Sequence, residues 1–195
     1  MSSRQNPDQL LKAIQDEEVN QNKGHLKIFF GYAAGVGKTY AMLEAAHIAK
    51  QQGIDVVAGY IEPHERPKTA ALLNGLEVIP TKEVTYNGMI LHEFDIDAAL
   101  QRSPELILVD ELAHTNAEGC RHAKRYQDIK ELLRAGIDVY TTVNVQHIES
   151  LCDVVASITE VVVRERIPDS IFDHADQVEL IAVSYTHLRA HETGR

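Results

Sequence analysis

The strongest indication of the fold in this sequence is the stretch Gly31-Tyr32-Ala33-Ala34-Gly35-Val36-Gly37-Lys38-Thr39. It follows a short apolar run, Leu26 to Phe30, which is typical of a buried strand. It leads into Lys38 to Gln52, a predicted helix that Gly53 ends. A glycine-rich turn between a strand and a helix is the setting that a phosphate-binding loop requires.

The loop has the residues that nucleotide phosphates need. Its glycines let backbone N–H groups turn inward around phosphate oxygens, and the helix adds its positive N-terminal end. Lys38 would reach the β- and γ-phosphates, and the Thr39 hydroxyl would bind Mg²⁺. The strict pattern has glycine where Tyr32 stands, and Gly31 lies one residue earlier, so the loop is slightly irregular. The predicted ATP-binding residues of this stretch are Gly31, Ala34, Gly35, Val36, Gly37, Lys38, Thr39 and Tyr40.

An acidic pair supplies the second half of the predicted site. Asp110 and Glu111 directly follow the apolar run Leu106 to Val109, which is the size of a core strand. Asp110 would hold the Mg²⁺ through a water molecule, and Glu111 is the candidate catalytic base for an attacking water or hydroxyl. An acidic pair after a strand is also common in solvated turns, so the glycine-rich loop upstream carries much of this prediction.

Strands and helices alternate along the remaining chain, which predicts an α/β fold of the P-loop NTPase type. Continuous apolar strands indicate a mostly parallel sheet with helices on both faces, and ligands of such sheets bind beyond the carboxyl ends of the strands. Asn87-Gly88 predicts a hairpin turn. The other predicted strands are 55–61, 137–143, 160–164 and 178–183, and the other predicted helices are 7–19, 67–74, 95–102, 124–135 and 145–158.

Composition narrows the function classes. The chain has 195 residues, enough for one domain. Its net charge of −10 argues against a domain that binds nucleic acid through the phosphates. The two cysteines, Cys120 and Cys152, are expected to be reduced thiols. No apolar stretch approaches the ~20 residues that cross a bilayer, and the N-terminus does not resemble a signal peptide. We therefore expect a cytoplasmic chain.

Polar residues after the other strands are further candidates. Each is expected either to sense the γ-phosphate or contact a second ligand, or to be an ordinary cap or loop residue; Asn144 in particular is well placed as an N-cap. These candidates are Glu62, His64, Arg66, His114, Thr115, Asn116, Thr142, Asn144, Gln146 and His147.

Arg121-His122-Ala123-Lys124-Arg125 is a basic cluster in an acidic chain. Three interpretations remain open: a solvated loop and helix start, a stabiliser of phosphate charge, or a docking patch for a partner. The ten histidines show no spacing backed by cysteine or glutamate, so a zinc site is not expected.

Four blocks in order and spacing resemble the N-terminal cytoplasmic domain of the KdpD family of osmosensitive potassium-channel sensor histidine kinases. That family also has an irregular loop with glycine at the place of Gly31. The resemblance covers about Gly24 to Leu180. Its blocks are Lys27 to Leu43, Asp110 to Asn116, Arg121 to Ile129, and Asp138 to His147.

The resemblance implies an ATP-binding domain that regulates the balance of autokinase and phosphatase activity in response to low potassium or osmotic stress. It also implies a membrane-anchored parent protein, with this domain on the cytoplasmic face of the membrane. The implied partners are the parent's other cytoplasmic domains and, indirectly, a response regulator. The kinase core and its phosphoacceptor histidine are not visible in this chain.

The resemblance divides the chain into a polar N-terminal segment, 1–24, the sensor domain, 25–183, and a tail, 184–195. The tail is basic and unlike the family, so we expect it to be foreign sequence. Two alternatives to a regulatory domain stay open. The first is a stand-alone enzyme, either a kinase for a small metabolite or nucleoside or an ATPase. The second is a docking platform built on the basic cluster.

Overall fold

A parallel sheet forms the centre of the domain. The computed structural model describes residues 23–62, 67–159 and 163–182. Within them, six strands pair in the order β3-β2-β6-β7-β1-β8, and every pair is parallel. The strands are β1 (Leu26–Gly31), β2 (Val56–Tyr60), β3 (Glu77–Val78), β6 (Leu106–Val109), β7 (Asp138–Asn144) and β8 (Gln177–Ile181).

Helices cover both faces of this sheet, which confirms the predicted α/β class. The helices are α1 (Lys38–Gln51), α2 (Pro67–Ala71), α3 (Ile96–Arg102), α4 (Arg125–Arg134), α5 (Glu149–Thr159) and α6 (Ser170–Asp173), and a 3-10 turn spans Val145–His147. On one face α1 buries Met42, Leu43, Ala46 and Ala49 against the sheet. On the other face α3 and α4 bury Ile96, Ala99, Ile129, Leu132 and Leu133.

The predicted hairpin forms a separate two-stranded sheet. Strands β4 (Lys82–Tyr86) and β5 (Met89–Glu93) pair antiparallel, and Asn87 and Gly88 at the turn have φ values of 49° and 79°. Two consecutive residues with positive φ define the turn type that suits the twist of a hairpin, which confirms the Asn-Gly prediction. The hairpin ends at Glu93, whose side chain is buried.

Three predicted elements differ from the structure or lie outside the described residues. Residues 163 and 164 are not in a strand, and the rest of the strand predicted at 160–164 lies outside the described residues, as does the helix predicted at 7–19. The helix predicted at 145–158 is a 3-10 turn followed by α5. Within the described ranges, no helix combines the length and apolar character that crossing a membrane requires.

Candidate functional site

The carboxyl ends of β1, β6 and β7 meet at one open cleft. Gly31 lies in register with Asn144, and Val109 lies in register with Thr141, so the residues that follow these strands come together. The cleft is lined by Ala34, Gly35, Gly37, Lys38, Thr39, Tyr40, Thr69, Asp110, Glu111, Ala113, His114, Thr142, Val143, Asn144, His147 and Glu165. The two halves of the site that the sequence predicts therefore face one another.

The glycine-rich loop is shaped by close packing at its start. A Cβ on Gly31 would lie 2.6 Å from Val36 Cγ2 and 2.9 Å from Lys38 Cδ, so only glycine fits without a shift. Gly37 has a φ of 100° at the start of α1, a backbone conformation that favours glycine. The Lys38 ammonium donates a hydrogen bond to the Ala33 carbonyl at 3.0 Å and so lies over the loop. This packing explains why the loop has its glycine at Gly31 and not at the next position: the stem of Lys38 passes the strand at Gly31.

The Asp110 carboxylate joins the loop to the sheet. Thr39 Oγ1 donates to Asp110 Oδ2 at 3.0 Å, and the Thr142 hydroxyl donates to Asp110 Oδ1. Asp110 is only 1% exposed, so these hydrogen bonds replace the water that a carboxylate otherwise keeps. Thr142, a candidate from the sequence, therefore orients Asp110 and lines the cleft.

Glu111 has an unusual backbone and an unusual acidity. Its φ is 61°, a left-handed conformation that is uncommon for a residue with a side chain, and its N–H donates to Asp110 Oδ1 at 3.1 Å and Thr142 Oγ1 at 3.2 Å. Burial, together with the negative charges of Glu62 and Asp110, raises the pKa of Glu111 to about 7. A carboxyl with this pKa can exchange a proton near neutral pH.

A buried ion pair lies behind the acidic pair. Arg125 is fully buried; its Nη2 donates to Glu93 Oε2 at 3.0 Å, and its Nη1 donates to the Asp110 carbonyl at 3.2 Å. The guanidinium also lies 4.2 Å from the ring centroid of Tyr60. Burial acts to raise the pKa of Glu93, but the hydrogen bond and charge of His114, with the Ala117 N–H and Arg125, lower it below its usual value. Glu93 is therefore ionised.

The structure corrects the interpretation of the basic cluster at 121–125. A solvated helix start is wrong for Arg125, which is buried, and the other cations have partners of their own. Arg121 pairs with Asp97 at 2.6 Å and Glu131 at 3.0 Å, and His122 Nε2 lies 2.7 Å from Glu131 Oε2. The Lys124 ammonium donates to Thr115 Oγ1 at 2.6 Å. The two arginine charges of the cluster are therefore met by carboxylates within the domain, whereas Lys124 contacts a neutral hydroxyl.

The remaining candidates separate into two groups. Asn144 and His147 line the cleft. Asn144 occupies the N-cap position of the 3-10 turn, as predicted, but its side chain makes no capping hydrogen bond. Its Oδ1 is buried and has no hydrogen-bond partner. Asn116 instead holds Asp128 and the His122 carbonyl, and Gln146 and Thr115 are not among the residues that line the cleft. His64 and Arg66 lie outside the described residues.

Sequence reasoning missed three residues of the site. Glu93 is the last residue of the hairpin, 17 positions before Asp110 in the sequence. No sequence motif indicates that the end of a hairpin lies beside this cleft. Thr69 lies in α2 and Glu165 in an irregular segment, and both line the cleft. Glu165 Oε1 accepts the Thr115 N–H at 2.9 Å, and its carbonyl lies 2.9 Å from His147 Nδ1. Only the tertiary fold brings these residues to the strand ends.

These observations define an α/β domain with a glycine-rich loop that faces an acidic pair, the buried Asp110 and the half-exposed Glu111, across a cleft at the strand ends. The chain belongs to the family described as the osmosensitive K+ channel His kinase sensor domain, KdpD, whose model matches residues 22–192.

Curated relatives agree with this assignment. The chain is 65% identical over 185 residues to the sensor protein KdpD of Clostridium acetobutylicum, which covers 95% of this chain and 21% of that protein. It is 55% identical over 186 residues to the sensor protein KdpD of Escherichia coli K12, covering 95% of this chain and 20% of that protein. The chain therefore spans about a fifth of the length of these two relatives.

Proposed function

We propose that this domain binds Mg²⁺–ATP in the cleft and so regulates the sensor kinase to which it belongs. The observation that carries the proposal is the contact between Thr39 and Asp110, 3.0 Å apart, because it brings the Gly-Lys-Thr loop and the acidic strand end to one point. These are the two parts that a P-loop nucleotide site requires. ATP would lie with its phosphates against the loop 31–39.

The donors around Asp110 fit a magnesium ion. Mg²⁺ prefers oxygen ligands and usually keeps several waters, with one or two protein side chains and the phosphates completing its shell. The Thr39 hydroxyl would be the direct protein ligand, and Asp110 would hold the ion through water. When bound, the ion would neutralise charge on the β- and γ-phosphates. Lys38 would supply a second positive charge, and its stem is already held beside Gly31.

Regulation follows from the place of the domain in its relatives. The chain spans about a fifth of KdpD sensor proteins, so the nucleotide site would act on the remaining domains and, through them, on a response regulator. The parent protein would be membrane-anchored and control potassium uptake under low potassium or osmotic stress, with this domain on its cytoplasmic face. The proposal places no docking patch at residues 121–125, because Arg121 and Arg125 already pair with carboxylates of the domain.

Calorimetry with two lysine variants tests the proposal. Lys38→Ala is expected to weaken Mg²⁺–ATP binding about tenfold or more, which corresponds to about 1.4 kcal/mol. Lys82→Ala on β4 removes the same charge away from the cleft and is expected to leave the affinity unchanged. Equal ATP affinity in Lys38→Ala and the unmodified domain would overturn the proposed site.

A second candidate function is phosphoryl transfer by this domain itself, as a slow ATPase or a small-metabolite or nucleoside kinase. The observation that favours it is Glu111, whose pKa is raised to about 7 by burial and by the neighbouring charges of Glu62 and Asp110. Incubation with Mg²⁺–ATP and a panel of hydroxyl acceptors distinguishes the two functions. Turnover in the usual kinase range, about 1–100 per second, favours the enzyme, and occupancy without turnover favours the regulatory domain.

A further inference from the structure

We propose that His114 is a catalytic residue of this cleft, oriented by Glu93, and that with Glu111 it holds the water or hydroxyl that attacks the γ-phosphate. The inference rests on the proposed ATP site and adds a reaction to it. His114 lines the cleft with Lys38 and Thr39. Its two ring nitrogens face two different carboxylates, one on each side of the imidazole.

Glu93 determines which ring nitrogen carries the proton. His114 Nε2 lies 3.0 Å from Glu93 Oε2 and 3.2 Å from Oε1, and the Glu93 side chain is only 6% exposed. An ionised carboxylate only accepts hydrogen bonds, so Nε2 must carry the hydrogen. In the neutral imidazole Nδ1 is then the acceptor.

His114 Nδ1 and the Glu111 carboxyl can both hydrogen-bond to one oxygen atom placed between them. His114 Nδ1 lies 3.9 Å from Glu111 Oε2, which is too long for a direct hydrogen bond. An oxygen atom at about 2.8 Å from each of these atoms would complete a triangle and hydrogen-bond to both. Water fits this position, because it can donate one hydrogen to Nδ1 and the other to Glu111. A hydroxyl group also fits, since it can donate its single hydrogen to Nδ1 and accept a hydrogen bond from Glu111 when that carboxyl is protonated.

Arg125 keeps the arrangement rigid from behind. It donates to Glu93 Oε2 and to the Asp110 carbonyl, so one buried cation holds both the carboxylate that orients His114 and the strand end that bears Asp110 and Glu111. The Ala117 N–H donates to Glu93 Oε1 at 2.9 Å as a further support. Glu93 and Arg125 are positioning residues, since they act through His114 and the strand end.

The chemical step needs only ATP and the bound nucleophile. The nucleophile oxygen forms a bond to the γ-phosphorus, and the bond between that phosphorus and the β–γ bridging oxygen breaks. ADP leaves with the electron pair of the broken bond. The proton of the nucleophile goes to Nδ1 of His114, which then returns it to solvent.

Three variants separate the parts of this proposal. His114→Gln keeps a donor for Glu93 but removes the Nδ1 acceptor, and Glu93→Gln keeps the shape but removes the charge. His92→Gln, exposed on β5 beside Glu93, is the matched control. We expect unchanged ATP affinity in all three and a loss of single-turnover hydrolysis of about 100-fold in His114→Gln, the usual worth of a general base. His92→Gln should hydrolyse ATP at the unmodified rate.

Nitrogen NMR of the imidazole rings supplies a readout that folding alone does not move. When the imidazole is neutral, the His114 signal should show a protonated Nε2 and a bare Nδ1. Glu93→Gln should weaken this preference while ATP still binds. A protonated Nδ1, full hydrolysis by His114→Gln, or ATP binding without any turnover overturns the role of His114. None of these three outcomes contradicts the proposed ATP site. That site is tested separately, by the loss of ATP binding expected in Lys38→Ala.

Discussion

Thr39 Oγ1 donates a hydrogen bond to Asp110 Oδ2 at 3.0 Å, although 71 positions separate the two residues in the chain. The contact spans β7, because β1 and β6 both pair with that strand and not with one another. Thr142 of β7 completes the link through the other oxygen of Asp110. The strand between the two halves of the site is therefore part of the site, and it keeps the acidic residue in place without a ligand.

The Thr39 hydroxyl is expected to matter for magnesium more than for ATP alone. Thr39→Val removes the hydroxyl and keeps the shape of the side chain, so the affinity for Mg²⁺–ATP should fall about tenfold. Affinity for ATP in the presence of a magnesium chelator should change much less. Calorimetric titrations with and without the chelator measure both quantities.

Thr39→Ser is the control for that experiment, since it retains an oxygen that can bind the ion. It is expected to keep most of the magnesium-dependent affinity. An equal loss in Thr39→Val with and without magnesium would show that the hydroxyl only supports the loop.

Gly31 should tolerate no side chain, because a Cβ there clashes with Val36. A second substitution, at Val36, can relieve that clash. In Gly31→Ala the new Cβ would approach Val36 Cγ2 to 2.6 Å, and overpacking of this kind destabilises by about 1–3 kcal/mol. The shift should also displace Lys38 and weaken ATP binding. Urea unfolding and calorimetry measure the two effects.

The double variant Gly31→Ala/Val36→Ala removes the methyl groups that cause the clash. We expect it to recover part of the stability that Gly31→Ala loses, relative to Val36→Ala alone. If the two substitutions are simply additive, the contact between residues 31 and 36 does not explain the glycine.

The sequence predicts the sheet and the two halves of the site well, because both depend on local signals. Buried strands are continuous apolar runs, and Gly53 and the pair Asn87-Gly88 have the positive φ values that favour glycine. The Gly-Lys-Thr loop and Asp110 each follow such a strand, so the parallel topology alone brings them together.

The second layer of the site could not be predicted in this way. Glu93 lies at the end of a hairpin outside the main sheet, and Arg125 begins a helix within a basic run that resembles a solvated surface. Only the tertiary fold brings the end of the hairpin to the start of α4, where the two buried charges pair. Asn144 shows a different limit of the sequence: it occupies the predicted N-cap position, but its buried Oδ1 accepts no hydrogen bond from the short 3-10 turn.

The buried pair Arg125–Glu93 is expected to contribute far more than an exposed pair. Arg125→Met would leave Glu93 buried without its cation, which destabilises by about 3–5 kcal/mol. Arg102→Met is the matched control: Arg102 binds Asp55 and Glu77 at the surface, where solvent screens the charges and the loss of stability should be much smaller. Urea unfolding measures both variants at the same pH.

A double-mutant cycle adds Glu93→Gln to this comparison. The two substitutions remove one interaction, so their combined cost should be smaller than the sum of the single costs by about 0.5–3 kcal/mol. Additive costs would mean that Arg125 is retained for its contacts with Asp110 and Tyr60 and not for the ion pair.

Glu111 should make the stability of the domain depend on pH near neutrality. Its pKa is about 7 in the folded domain and near 4.5 when unfolded, so the unfolded chain loses this proton first as the pH rises. The free energy of unfolding should therefore fall between about pH 4.5 and pH 7, with the loss complete above that range. Glu111→Gln cannot lose a proton and is expected to be more stable than the unmodified domain at pH 8. The exposed Glu118→Gln is the control, and urea unfolding from pH 4 to pH 8 compares the three proteins. A stability difference between Glu111→Gln and the unmodified domain that does not change across this window would mean that burial and the charges of Glu62 and Asp110 do not control the Glu111 proton.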